Sequence, residues 1–405
     1  MEREFNKYII WLVITLFVTY AFCLNTASAA FAPIIQASLH LGEIGLSVAS
    51  GAFTLGYACM QIPAGYLLDK YNPRWVVSIG LLLLVIGNFA VSFTSTLIPF
   101  TLWSIMQGIG ASFAFVSAAV LIAQWFSTTQ FPILFGFTQT ISCLAAGIVH
   151  YSFTKSLQAH SWNSVYQVIA LIGLVLFVLT LLFIKSPSGI GPKNQINLKR
   201  SITTVGTNVN LIFCAIATAT SFGILLTYAG FWYLPVQEFY NLDQVDAVII
   251  SGFIFLGIGL GTPFWAWLSN KIGSRTLVIH VSLVIGTMLM LLCLYLPHFD
   301  FKSLILIKSL SFLMGFFISG STLFYTIASE LSSYETRGVA ISFINSTDYL
   351  FNILMLFIPY FFLTNFSKYY YTHLWVLPFC LLIAILMNYF IKDSYKSEGG
   401  EDSPS

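Results

Sequence analysis

Apolar and polar positions along this chain fall into long unbroken apolar runs separated by short polar breaks. Runs such as 8–31, 75–95 and 276–297 reach the roughly 20 residues needed to cross a hydrocarbon core as a helix. None shows the residue-by-residue alternation over about 10 positions that marks a barrel strand. Reading each run against its breaks predicts twelve helices. The first half holds 8–31, 43–68, 75–95, 98–124, 131–154 and 163–185. The second half holds 209–236, 245–268, 276–297, 303–328, 337–363 and 371–392. Between the two six-helix halves, 1–185 and 208–393, lies one long polar interruption, 186–207, with Pro187, Gly189, Pro192, Lys193, Lys199 and Arg200. It is read as a cytoplasmic linker. Residues 394–405 are rich in Gly, Ser and acids and are read as a disordered cytoplasmic tail. The expected fold is an all-α membrane protein of two pseudo-symmetric six-helix bundles.

Composition agrees. Of 405 residues, 58% are hydrophobic and 8% charged, whereas soluble domains carry about 25% charged residues. The net charge of +2 is too small to mark a nucleic-acid partner. Six cysteines lie within apolar runs with no Cys-x-x-Cys spacing and read as small buried hydrophobes. Arg3, Lys7, an apolar run and Ala27-Ser28-Ala29 imitate a secretory signal. The run is longer than such a signal needs and has a counterpart near Val209, so it is expected to stay as the first helix. Most Lys and Arg fall on the side that holds both termini, and Lys155, Lys302, Lys308 and Lys368 fall on the other. That places both termini in the cytoplasm.

One stretch is duplicated. Gly56 to Arg74 contains Gln61-Ile-Pro-Ala-Gly-Tyr-Leu-Leu-Asp69, Lys70 and Asn72-Pro-Arg74. At an offset of about 201, Leu67 matches Leu268, Lys70 matches Lys271, Asn72 matches Gly273 and Arg74 matches Arg275. Two repeats of this kind rock around a site near the bilayer midplane. The string Gly257, Gly259, Gly261 sits inside an apolar run with no strand before it, so it reads as a packing surface and not as a dinucleotide loop.

These loops, with Trp103 to Ala111, Ala123-Gln-Trp-Phe126, Phe135 to Thr140, Ala229 to Pro235 and Arg337 to Asn345, resemble the major facilitator superfamily over nearly the whole chain. They look most like a bacterial branch that includes the phagosomal transporters of intracellular pathogens, whose members import amino acids or nucleosides. The resemblance implies gating at Asp69, Lys70 and Arg74 and at Lys271 and Arg275, with Glu335 and Arg337 as partners. In that family the acid faces a helix N-terminus and holds the outward-open state. Four departures stand out. Ser104 takes the place of a frequent Arg, Asn72 replaces a preferred Gly, and Asn270 replaces the second loop's acid. The Gly-Pro pair of antiporters is missing around Ala145-Ala146-Gly147, which favours import.

Asp348 is the most informative single residue. Eleven residues into the eleventh helix, it sits roughly 16 Å deep, where a carboxylate costs at least a few kcal/mol unless paired, hydrated or protonated. It is expected to couple transport to protons. The competing reading is a packing carboxyl bonded to Asn345 or Asn352. Asn25, Gln107, Gln139, Ser142, Tyr228, Trp232 and Asn345 are polar or amphipathic groups on helices that line the cavity of this fold, and are the expected substrate contacts. Each can equally serve as an interhelical hydrogen bond. Lys308 is expected to snorkel to the outer interface.

The expectation is a proton-coupled importer of a small organic solute, an amino acid first, in the bacterial inner membrane. Its partners are the solute, protons and lipid, with no cofactor, metal or nucleic acid, and it is expected to act as a monomer. The alternatives are a siderophore or drug transporter, or a transceptor without flux. No catalytic constellation at workable spacing points to an enzyme.

Overall fold

The computed structural model describes residues 2–186, 197–229, 244–296, 303–362 and 374–395. These carry the twelve helices expected. The first half forms α1 (Glu2–Ser38), α2 (Glu43–Lys70), α3 (Pro73–Val91), α4 (Leu97–Trp125), α5 (Gln130–Ala159) and α6 (Trp162–Phe183). The second half forms α7 (Val209–Thr227), α8 (Gln244–Ile272), α9 (Arg275–Tyr295), α10 (Leu304–Leu331), α11 (Arg337–Phe362) and α12 (Val376–Phe390). Among the described residues, eight helices are long and apolar enough to cross a membrane. Large apolar side chains such as Leu171, Val175 and Ile305 stand exposed, as a lipid-facing surface requires.

Local chemistry sets the helix ends. Ser161, Asn208 and Ser274 accept bonds from the first free backbone N–H groups of α6, α7 and α9. Pro73 opens α3, where its missing N–H is no loss. Gly273, at φ +76°, turns the chain after α8. Its counterpart Asn72 does not make that turn. With φ −61°, it caps α3 by accepting from the Arg74 N–H at 3.0 Å. The first loop therefore dispenses with a left-handed residue.

Four features depart from the sequence reading. A π turn over Ala219–Gly223 interrupts α7, and a 3-10 turn over Ser319–Thr322 interrupts α10. The second part of the linker is a helix, Leu198–Thr207, with Ser201 and Val205 buried. Ser394 and Tyr395, assigned above to the tail, are bonded into the fold; residues 396–405 lie outside the described residues.

The chain forms two compact units that do not divide only at the linker. One comprises Met1–Phe126, Ile141–Thr204 and Tyr334–Ser346, the other Ser127–Thr140, Val205–Ser333 and Thr347–Ser405. The first turns of α5 and α11 thus belong with helices of the opposite sequence half. Inside each unit one packing device recurs. A methyl added at Gly56 of α2 would overlap the Ile105 carbonyl of α4, and one at Gly108 the Phe53 carbonyl. In the other unit Gly257 of α8 meets Phe312 of α10, and Gly315 meets Ile254, in the same way. Small residues let the helix backbones approach where lipid offers no hydrophobic drive to do so.

Candidate functional site

The duplicated loop and the start of α11 form a seam in the first unit. Tyr57, Gly65 and Asp69 recur at multiples of four residues and share one face of α2. At Gly65 the helices cross so closely that a methyl would overlap the Gly338 carbonyl and the Ser342 hydroxyl. Asp69 then reaches the end of α11. Its Oδ1 accepts from the Gly338 N–H at 2.8 Å and its Oδ2 from the Val339 N–H at 2.9 Å. These are donors that α11 cannot satisfy internally, and the helix end also favours negative charge. Further along, Asn345 donates to the Tyr57 hydroxyl at 3.3 Å and Ser346 to the Ala58 carbonyl at 3.5 Å.

Burial pushes the Asp69 carboxyl up to about 7, against the pull of the two amides and of Arg337. The Asp69 charge in turn helps to raise the Tyr334 hydroxyl, after burial of that hydroxyl. A carboxyl that rises from about 4 in water to about 7 in the seam takes up a proton as the seam forms. Closure is therefore strongest in acid, weakens as pH rises from about 4 to about 7, and levels off above that. Hydrogen exchange at Gly338 and Val339, corrected for its intrinsic pH dependence, is expected to follow this curve. Asp69→Asn is expected to flatten it.

The second loop is built differently. Arg275, 1% exposed, pairs with Glu330 at 3.0 Å and donates to Ser269 and Asn270, each at 2.6 Å. Asn270, the residue in place of the acid, donates to the Thr129 carbonyl just ahead of α5. An acid there would meet that carbonyl's lone pairs, so the amide is the group that fits. α5 and α8 approach closely at Gly136 and Pro263, and the Thr140 hydroxyl bonds the Gly259 carbonyl. Asp393 caps α9 from the far end of the chain, accepting from Ser274, the Arg275 N–H and Thr276. Burial opposes its ionisation, but these donors together hold its carboxyl below the usual range. Tyr395 closes the cluster by donating to the Asn270 carbonyl at 3.1 Å.

The other loop cations lie over aromatic rings: Lys70 by Tyr66 and Tyr71, Arg74 by Trp75, Lys271 by Trp267. Glu335 is exposed, and Arg337 is partly buried beside Asp69.

Asp348 lies on α11 in the second unit and is 2% exposed. The Tyr325 hydroxyl of α10 donates to its carboxyl. Its Oδ1 has no hydrogen-bond partner and abuts Gly223, where a methyl would overlap it. Gly223 closes the π turn of α7, so a helix irregularity faces the buried acid.

Of the expected substrate contacts, Asn25, Gln107, Ser142 and Asn345 belong to the first unit and Gln139 and Tyr228 to the second. Gln107 donates to Asn88 at 3.0 Å, Asn88 to the Tyr20 hydroxyl at 3.1 Å, and Tyr20 to the Ile169 carbonyl at 2.8 Å. That buried chain ties α4, α3, α1 and α6 together. The Ser142 hydroxyl pairs with Thr19 at 3.1 Å. Gln139 and Tyr228 are buried and Asn25 is partly exposed, and none of the three is without a partner. Trp232 lies outside the described residues. Lys308 pairs with Asp246 of α8 at 3.7 Å, with both side chains partly exposed.

The sequence profile of the Major Facilitator Superfamily matches residues 12–347 and 248–403. The chain belongs to this superfamily. Among curated members, it is 28% identical over 155 residues to the drug efflux pump JefA of Mycobacterium tuberculosis, covering 37% of this chain and 30% of that one. It is 22% identical over 241 residues to the multidrug resistance protein MdtL of Escherichia coli, covering 57% and 60%. The chain thus spans less than two thirds of either relative. Among solved structures, that of the proton:xylose symporter XylE superimposes with a TM-score of 0.76 at 16% identity, over 97% of both chains. The fold is that of a multi-spanning superfamily member with two six-helix bundles.

Several partners escape a reading of the sequence. Glu330, Asp393 and Tyr395 lie about 55 to 125 positions from the residues they hold. The one available signal was charge: Glu330 and Asp393 stand at the polar ends of apolar runs, at the same membrane side as Arg275. Tyr325 and Tyr57 gave none, because a tyrosine in an apolar run looks like any aromatic packing residue.

Proposed function

We propose that this chain is a proton-coupled secondary transporter that moves a small organic solute across the bacterial inner membrane by alternating access. Both termini are cytoplasmic in this reading, and a single copy suffices. The observation that carries the coupling is the buried Asp348 carboxyl, with one oxygen unsatisfied against the α7 π turn. An acid so placed is costly when ionised, so exchange of its proton is the natural way to tie it to transport. Asp69 on the α11 N-terminus, with the basic residues around it, is the inner gate.

The relatives' names, drug efflux pump and multidrug resistance protein, support export of an organic compound ahead of the amino-acid or nucleoside import that the phagosomal branch implies. The missing Gly-Pro pair at Ala145-Ala146-Gly147 supports import as the second reading. Polar contacts of the solute are drawn from Asn25, Gln139, Ser142, Tyr228, Trp232 and Asn345, while Gln107 serves the bundle.

Proteoliposomes with an imposed pH gradient test this. Lipophilic drugs, amino acids and nucleosides are offered in turn, with the gradient collapsed by an uncoupler as control. Uphill movement of one class that stops with the uncoupler is expected. Binding without flux for every class would leave a transceptor.

A further inference from the structure

The α2 face that meets α11 carries one more polar residue. Gln61 sits one helical turn from Tyr57 and one from Gly65, on the face that Tyr57, Gly65 and Asp69 present to α11. It is 0% exposed, and neither its amide nitrogen nor its amide oxygen has a hydrogen-bond partner. Its neighbours differ. Tyr57 accepts from Asn345, and both Asp69 oxygens are engaged. A buried amide left unpaired shifts an equilibrium against the state that buries it by roughly tenfold or more. An isolated orphan of this kind is uncommon in a well-packed protein. It lies in the seam that, in the function proposed above, has to part once per cycle.

We infer that Gln61 biases the α2–α11 seam toward opening. In the closed seam the amide is stripped of water and receives nothing back. Once the helices part, water reaches it and both of its functions are satisfied. The Asp69 caps and the Asn345–Tyr57 bond pull the other way, because each exists only while the seam is closed. The seam is thus held by bonds at Asp69 and Tyr57 and loosened by Gln61 between them, which keeps closure reversible.

The inference rests on alternating access, and its test does not need a substrate. Hydrogen exchange over residues 337–346 is followed in the full chain, in lipid nanodiscs. Gln61→Met keeps the shape of the side chain and removes the amide, and Gln61→Leu does so with a different shape. Both are expected to slow exchange in this segment about tenfold, whereas Tyr57→Phe, which strips Asn345 of its acceptor, is expected to speed it. Exchange in both Gln61 variants that equals or exceeds that of the unsubstituted protein would overturn the inference. Solute flux in proteoliposomes is scored separately. Absence of flux alongside slowed exchange removes the transport reading alone, and normal flux alongside unchanged exchange removes the role of Gln61 alone.

Discussion

Asp348→Asn is expected to abolish the uphill solute gradient in proteoliposomes while exchange of labelled for unlabelled solute continues. The amide keeps the size of the carboxyl and can still accept from Tyr325, so the packing of α10, α7 and α11 around it is preserved. What it loses is the proton. One proton moving down 100 mV supplies about 2.3 kcal/mol, enough for roughly a fortyfold gradient of solute. That gradient should fall to unity in the variant. A gradient that survives intact would take Asp348 out of the coupling step. Tyr325→Phe tests positioning separately, because it frees the second carboxyl oxygen without removing the ionisable group. Its expected signature is a displaced pH profile with flux retained.

Arg275→Met is expected to destabilise the second unit strongly. The guanidinium is 1% exposed and pairs with Glu330, which is 8% exposed. Removing one partner of a buried ion pair leaves the other charge uncompensated and typically costs about 3–5 kcal/mol. Asn270 and Ser269 lose donors in the same step, and Asn270 orients the Thr129 carbonyl ahead of α5. The Tm in detergent should drop clearly. Adding Glu330→Met should recover much of the loss, since a matched apolar pair avoids the unpaired charge. A double variant no more stable than Arg275→Met would mean that Glu330 adds nothing to the network.

The candidate site was legible in proportion to how local its signals are. Asp69 stood out because the loop motif repeats about 201 residues later, and Asp348 because a lone acid deep in an apolar run is costly wherever it packs. Gln107 read equally as a ligand contact or an interhelical bond, and only the neighbouring helices showed that it donates to Asn88, which in turn donates to Tyr20. The π turn in α7 had no local signature, because Ala219–Gly223 is as compatible with an ordinary helix as with a widened one. Gln61 lies inside the quoted loop motif. Its lack of a partner is a property of α11 as much as of α2.

By itself the sequence determined the twelve spans, the two repeats and the family, because each rests on hydropathy over about 20 residues or on short motifs. Tertiary structure alone decided that α11 begins on Asp69 and α5 beside Asn270, and that Asp393 reaches back to cap α9. Those bonds join groups 118 to 270 positions apart. In lipid every polar group seeks a partner inside the protein, and which partner it finds depends on which helices pack together, a choice that no local pattern encodes.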